Sequence, residues 1–467
     1  MAKIVMIQLQ TAPYCGTAYL HAATKTAGHQ FLLIVSTDKK RILEKLSHEK
    51  PDLIGFSCLS SFMNDTLDIC RSIKKITKTP IILGGPHPTL FPEVIHEKPI
   101  DYICRGEGEF ALVDLLNAID QKKPITHIKN LWVKRKKKVF KNPLRPLVYP
   151  LDTIPLIDWS CYKNTAVLYG SPTVFLIRGC PFSCNYCFNE QTRELYHGLG
   201  PYIRHFSVKR SIQEIQAALQ YFPPNPIIFA SDSFGIDLPW MNDVFNEYTK
   251  ITTLPFVMLL RPELTTPACI AILAKYNCCS VSIGVESGSP RVRKQVVERN
   301  YTNDYLVTMA ESLHAHNIKF KTFNMLGLPT ETENEMWETV EMNIRMKTDY
   351  PRAAIFTPFP GTKIVDIAKK HGYLDADYDF TNLPETILDR TILKKLNANY
   401  VQNMLFFFQT AVKFPKLMPI IKKLVGWKSN ILFRLWFYLI YTVLNGLSEK
   451  RSLRTYIPYL YANRKYR

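Results

Sequence analysis

Residues 173–188 read TVFLIRGCPFSCNYCF, an apolar run that passes through Arg178 and Gly179 into a loop with three cysteines. The run predicts a strand, and Gly179 with Pro181 predicts its end. Cys180, Cys184 and Cys187 follow a C-x3-C-x2-C spacing, so three thiols fall within eight residues. Three thiolates this close can hold three corners of an iron–sulfur cube and leave the fourth iron without a protein ligand, open to a small molecule. Zinc is a competing occupant: a structural zinc site needs four closed ligands, and His197 and His205 are the nearby residues it would have to recruit. Cysteines gathered by chance in a core are the plainest alternative.

Downstream, PIIFAS, FVMLLRP, SVSIGVES, IKFKTFNMLG and AAIFTPFPG repeat the strand pattern through about residue 372, with helical segments between them. Six consecutive βα units predict a partial (β/α)6 barrel of the TIM type, with its chemistry in the loops that follow the strands. Upstream, KIVMIQL, FLLIV, DLIGFSC, PIILGG and DYICRGEGE alternate with helical patterns near 16–27, 38–48, 63–76 and 109–120. That alternation predicts an α/β, doubly wound parallel sheet, Rossmann-like or flavodoxin-like, whose ligand sits at the carboxyl ends of the strands. The loops there include Ser57 to Ser61, Gly84 to Pro88 and Arg105 to Glu109, and Gly84 and Gly85 would let backbone approach a ligand closely.

Residues 128–141 predict a hairpin with a basic tip from Lys134 to Lys138, read as a solvated turn or an anion contact, and a Pro-rich connection follows it. The resulting organisation is a doubly wound domain over 1–125, hairpin and linker over 126–165, the barrel over 166–375 and a basic, aromatic helical region over 376–467.

Composition narrows the class. The chain has 467 residues, 46% of them apolar, which excludes disordered and collagen-like proteins. Eleven cysteines, an odd number at irregular spacing, fit a reducing compartment, and Cys58, Cys70, Cys104, Cys161, Cys269, Cys278 and Cys279 are read as small buried apolar residues. The opening residues lack the basic and apolar regions of a secretory signal, which predicts a cytoplasmic chain. Net charge is +19, and residues 410–467 hold twelve Lys or Arg against Glu449 alone. The run 431–447 contains Arg434 and an Asn-Gly break, so it reads as a buried or interfacial helix and not a span. Such a tail can lie on an anionic membrane surface, line a pocket for a hydrophobic substrate, or cap the barrel.

The C-x3-C-x-aromatic-C pattern after the first barrel strand, with Tyr186 at the aromatic position, resembles the radical S-adenosylmethionine superfamily. The blocks FASDSF at 229–234, GVESGS at 284–289, MLGLPTET at 325–332 and TPFPGT at 357–362 resemble its cobalamin-binding branch, which holds class B radical methyltransferases and anaerobic porphyrin cyclases. The resemblance implies a [4Fe-4S] cluster on Cys180, Cys184 and Cys187, with S-adenosylmethionine bound through its amino and carboxylate groups to the open iron. Reduction then breaks a carbon–sulfur bond to give methionine and a 5′-deoxyadenosyl radical. It further implies Asp232 and Ser233 for the methionyl amine, where many relatives carry Gly-Gly-Glu, and Glu286 and Ser287 for ribose hydroxyls or the amine. Leu326 with Gly327, and Thr357 with Pro358, fall to adenine; Arg178 neutralises a carboxylate or braces the cluster loop.

In the N-terminal domain, Ser57-x-Leu59 and Gly84-Gly85 resemble the loops that accept the nucleotide tail of cobalamin, and His87 is assigned to helix capping or to that tail. The family's Asp-x-His-x-x-Gly is missing: residues 10–16 read QTAPYCG, so no His ligand to cobalt is expected, and Tyr14 or Cys15 is left to approach the lower face. The activity implied is methylation of an unactivated carbon in a small or lipid-like substrate. The alternatives are a cobalamin-dependent cyclase, oxidase or rearrangement enzyme, an RNA-modifying radical enzyme, and a cobalamin-sensing module. A flavodoxin or ferredoxin is the implied electron donor, and no nucleic-acid partner is expected.

Overall fold

Continuous aliphatic runs form strands buried on both faces, as parallel sheets covered by helices require. β1 (Lys3–Gln8), β2 (Gln30–Val35), β3 (Leu53–Ser57), β4 (Ile81–Gly84) and β5 (Tyr102–Cys104) are parallel and lie in the order β2-β1-β3-β4-β5. The helices α1 (Cys15–Thr26), α2 (Lys39–Glu49), α3 (Met63–Ile76), α4 (Pro86–Leu90) and α5 (Glu109–Asp120) connect and follow them. Local chemistry sets their starts: Asp38 accepts the amides of Lys40 and Arg41 ahead of α2, and Pro86 opens α4. Strand order reverses between β1 and β3, and the crevice at the carboxyl ends of that pair is where ligands of such sheets bind.

This computed structural model describes residues 1–448 apart from 137, 164, 232, 385 and 389. Its described residues divide into two compact units, one of 1–170 with 191–223 and one of 171–190 with 224–448. The hairpin at 128–141 is not a free-standing linker element. β6 (Leu131–Arg135) pairs antiparallel with β5, β7 (Lys138–Lys141) pairs antiparallel with β6, and the sheet grows to seven strands. The reason is burial: Leu131, Trp132 and Val133 are all in the core, and pairing with β5 satisfies their backbone.

The second unit holds the six strands read from the sequence: β8 (Thr173–Val174), β11 (Ile227–Phe229), β12 (Phe256–Leu260), β13 (Cys278–Glu286), β14 (Lys319–Leu326) and β15 (Tyr350–Ile355). They are parallel, in sequential order, as a partial barrel demands. Two further two-residue strands, β9 (Ile177–Arg178) and β10 (Arg204–His205), lie outside both sheets. α6 (Asn189–Leu195) follows the cysteine loop, and α7 (Val208–Leu219) belongs to the first unit. α8 (Leu238–Ile251), α9 (Pro267–Lys275), α10 (Asn303–Ala315) and α11 (Glu333–Arg345) alternate with the barrel strands, and α12 (Lys363–Lys370) follows β15. Asp237, Thr266 and Thr302 cap α8, α9 and α10, and Thr332 with Glu335 forms a capping box on α11.

The C-terminal helices α13 (Ala398–Lys413), α14 (Met418–Val425) and α15 (Ile431–Ser448) pack onto this unit. α13 lies against β15 and α11 and is almost wholly buried, with Gln409 Nε2 donating to the Pro351 carbonyl of the edge strand (3.0 Å).

Candidate active site

The cysteine loop is held from several sides. The Ser231 hydroxyl accepts the amides of Leu176 (2.9 Å) and Ile177 (3.1 Å), and Ser233 donates to the Gly179 carbonyl (2.8 Å). The loop after β11 thus braces the approach to Cys180, and the Ser233 hydroxyl is engaged in that brace. Asp232 lies outside the described residues. Gly179 has φ +94°, a left-handed value that turns the chain from strand into loop. Cys180 and Cys184 are buried and Cys187 is half-buried. The Cys187 amide donates to the Cys184 carbonyl (2.9 Å), and Asn185 ties the turn to Val296, Val297 and Ile364.

Arg261, just past β12, donates through Nη1 to Cys184 Sγ (2.9 Å), lies 3.7 Å over the Phe182 ring and pairs with Glu263 (2.7 Å). The contact sets a charged donor against one of the three sulfurs of the motif. Among the described residues no three His, Cys, Asp or Glu side chains are grouped as ligands of a single metal ion.

Tyr186 fills the aromatic position of the motif and enters a buried triad. Its hydroxyl donates to Glu286 Oε1 (2.9 Å) and accepts from Arg299 Nη2 (2.6 Å), and Arg299 pairs with Glu286 at 3.0 Å. Burial, then the Glu286 carboxylate, pushes the Tyr186 phenol well above its ordinary value, so it stays a donor. Burial pulls the Arg299 guanidinium down, but Tyr186 and Glu286 more than offset this and hold it charged. Glu286 ends β13 at φ +65°, a strained value for a side chain of this size. The next segment, Val292–Val297, is a π-helix, a form concentrated at functional sites.

The other sequence-assigned residues in this unit have the following surroundings. Ser287 is fully buried and faces Thr339 (3.4 Å) on α11 and Glu331 (3.5 Å). The Leu326 side chain lies in the core shared with α11 and α13, and the Gly327 backbone approaches Val401 of α13. Thr357 is buried at the end of the last strand, Pro358 accepts from the Tyr378 hydroxyl (2.7 Å), and Arg178 is half-buried. Glu331 is a residue the sequence did not single out: it accepts the amides of Gly327 (2.8 Å) and Leu328 (3.1 Å), and burial pushes its carboxyl up to about 8.

In the first unit a shallow cleft, with enclosed space for about one water molecule, lies at the carboxyl ends of β1 and β3, the switch point of the sheet. Ser57, Leu59 and Tyr14 line it, with Gln10, Phe62 and Thr66. Cys15 is buried in the first turn of α1. Gly85 has φ +94°, and a Cβ there would meet the Cys58 amide at 2.9 Å, so this glycine is what lets the two loops close. Gly84 accepts the Cys58 amide (2.7 Å) beside it. The His87 side chain does not cap α4; it is buried with Nδ1 3.0 Å from the Ser60 hydroxyl, and burial lowers its pKa to about 4. Burial also pushes the Cys58 and Cys104 thiols up to about 12, as core cysteines require.

Residues 174–342 match the Radical SAM superfamily model, and residues 9–116 match the B12 binding domain. The chain is a radical S-adenosylmethionine enzyme with a B12-binding domain. This radical enzyme is 26% identical over 374 residues to an uncharacterized methyltransferase of Pyrococcus horikoshii, spanning 77% of this chain and 79% of that one. It is 24% identical over 419 residues to the anaerobic magnesium-protoporphyrin IX monomethyl ester cyclase of Rubrivivax gelatinosus, spanning 83% and 73%. Its fold is similar to that of the cobalamin-dependent S-adenosylmethionine radical enzyme OxsB (TM-score 0.69, 14% identity, 100% of this chain and 75% of that one). It is also similar to that of the radical S-adenosylmethionine methyltransferase TsrM from Kitasatospora setae (TM-score 0.65, 16% identity, 81% and 78%). The enzyme's cofactors are therefore a [4Fe-4S] cluster, S-adenosylmethionine and cobalamin.

The residues fit these groups. Three thiols, one already receiving a guanidinium donor, suit a cluster, and the loops around Ser57 and Gly85 lie at the β1–β3 switch point, where a doubly wound sheet presents its ligand at the surface.

Proposed function

We propose that this enzyme methylates an unactivated carbon of a small or lipid-like molecule. The observation that carries the reading is one chain holding both a tri-thiol loop and a switch-point cleft within matched radical and B12-binding domains. When bound, the cluster and S-adenosylmethionine supply the radical and cobalamin supplies the methyl group. The protein's own groups position and protect. Cys180, Cys184 and Cys187 hold the cluster, while Arg261 donates to Cys184 Sγ and lies over the ring of Phe182. Ser231 and Ser233 brace the loop from β11, and the Tyr186–Glu286–Arg299 triad fixes its far end next to the post-β13 turn. Asp232, Glu286 and the backbone at Gly327 and Thr357 are the groups we assign to S-adenosylmethionine. Ser57, Leu59, Gly84, Gly85 and Tyr14 are those we assign to cobalamin. A reduced flavodoxin or ferredoxin serves as electron donor.

A second reading, radical cyclisation or oxidation without methyl transfer, is favoured by the likeness to the Rubrivivax gelatinosus cyclase over 83% of the chain. Product counting separates the two. Anaerobically reconstituted enzyme, given a reductant and the extract of a strain that lacks it, forms S-adenosylhomocysteine together with 5′-deoxyadenosine if it methylates. Deoxyadenosine without S-adenosylhomocysteine sinks the methylation reading. Loss of one third or more of the bound iron in Cys180→Ala, Cys184→Ala and Cys187→Ala checks the cluster assignment, and undiminished iron and sulfide would overturn it.

A further inference from the structure

A helix that is apolar on one face packs that face and wets the other; α15 is apolar on two. One stripe, Phe433, Phe437 and Tyr441 at four-residue spacing, turns inward, and Phe437 meets Phe406 (5.5 Å) while Phe433 meets Phe407 (4.8 Å) on α13. The other stripe, Leu432, Leu435, Trp436, Leu439 and Val443, also recurs at three- and four-residue spacing and is open to solvent, with Leu432 71% exposed. The preceding segment repeats the pattern: Ile420 on α14 is 58% exposed, Trp427 after it 61%, and Phe414 and Leu417 before it are exposed too. Contiguous apolar exposure of this extent is uncommon on a free surface.

The charge around it points to the occupant. Residues 390–448 contain nine Lys or Arg and no Asp or Glu. Lys416, Lys422, Lys423, Lys428 and Arg434 are exposed among the apolar side chains. A second copy of the same face would set these cations against one another, which disfavours a symmetric contact. Residues 449–467, outside the described residues, add six Lys or Arg against Glu449, so their charge does not complement the face either. Exposed Leu, Ile and Trp interleaved with cations match the headgroup boundary of an anionic bilayer, where apolar side chains enter the acyl region and Lys or Arg meet lipid phosphates. No helix among the described residues is long and apolar enough to cross a membrane, so the fit is in the plane of the surface.

We propose that the α14–α15 face docks this enzyme on an anionic lipid surface. The inference does not depend on whether the enzyme methylates. The test is flotation of the full-length protein with vesicles of phosphatidylcholine alone or with about 30% phosphatidylglycerol, alongside its mass in solution. Protein floats with the anionic vesicles and not the neutral ones, and added salt weakens the binding. Leu435→Glu with Leu439→Glu lowers the partition coefficient more than tenfold, and Lys416→Glu with Lys423→Glu lowers it roughly tenfold, with circular dichroism and melting unchanged. Protein that stays unbound with anionic vesicles overturns the proposal, as does binding untouched by both variants. A dimer that dissociates in the Leu435→Glu/Leu439→Glu variant, with no vesicle binding by the parent, assigns the face to a second copy instead.

Discussion

Removing the Arg299 side chain tests the buried triad next to the cysteine loop. In Arg299→Met the methionine keeps most of the volume but none of the donors. Lost are hydrogen bonds to the Gly284 carbonyl (2.7 Å) and the Tyr186 hydroxyl (2.6 Å) and the pair with Glu286 at 3.0 Å. Side-chain exposure is 5% for Arg299 and 10% for Glu286, so solvent does not screen the loss. Breaking one half of a buried pair costs about 3–5 kcal/mol, because the remaining carboxylate keeps the Tyr186 donor but has no counter-ion. At about 2–4 °C per kcal/mol for a unit of this size, its melting transition falls by roughly 6–20 °C. Glu286→Gln alone strands the guanidinium and costs a similar amount. The double variant Arg299→Met/Glu286→Gln removes both charges, so it costs less than the sum of the singles and recovers part of the loss. Calorimetry of the four proteins, resolving the two units' transitions, measures each term. Iron content falls in the single variants as well, since Tyr186 lies between Cys184 and Cys187. A cost below about 1 kcal/mol for Arg299→Met, or strictly additive singles, would refute the reasoning.

Three further outcomes follow from the geometry. Glu331, buried with its carboxyl at about 8 against 4.5 in the unfolded chain, keeps a proton in the folded state that the unfolded state releases. Stability therefore falls as pH rises from about 4.5 to 8, and Glu331→Gln, which keeps an oxygen for the Gly327 and Leu328 amides, flattens that slope in denaturant titrations. An unchanged slope would remove Glu331 as its source. Gly85→Ala places a Cβ against the Cys58 amide at a φ of +94°, costing about 1–3 kcal/mol of strain. It also weakens cobalamin binding in equilibrium dialysis; full retention would detach these loops from the cofactor. Arg261→Met deprives Cys184 of a charged donor, so the cluster's midpoint potential in an anaerobic redox titration moves negative, and an unmoved potential would show that this contact does not tune it.

What could be read from the sequence was what depends on near neighbours. Helices expected near 63–76 and 109–120 form at Met63–Ile76 and Glu109–Asp120, because apolar spacing and strand alternation act over a few residues. The three cysteines were visible for the same reason. Arg261 and Arg299 were not, since each is a lone basic residue 74 or more positions from Cys187, and only strand order brings it to the loop. The position of Ser287 was not legible either: it follows a left-handed Glu286 and its hydroxyl lies 3.4 Å from Thr339 on α11, and φ at a glutamate leaves no mark in composition. The hairpin expected over 128–141 forms, and its pairing with β5 through Leu131–Val133 is a longer-range contact that the local pattern did not show. The omissions share a cause. Near this site the backbone departs from regular form, with three left-handed turns at Gly179, Glu286 and Glu298 and a π-helix between the last two, and the residues that stabilise those departures come from other strands. A pattern rule that works by spacing therefore fails where distant charges stabilise an irregular backbone.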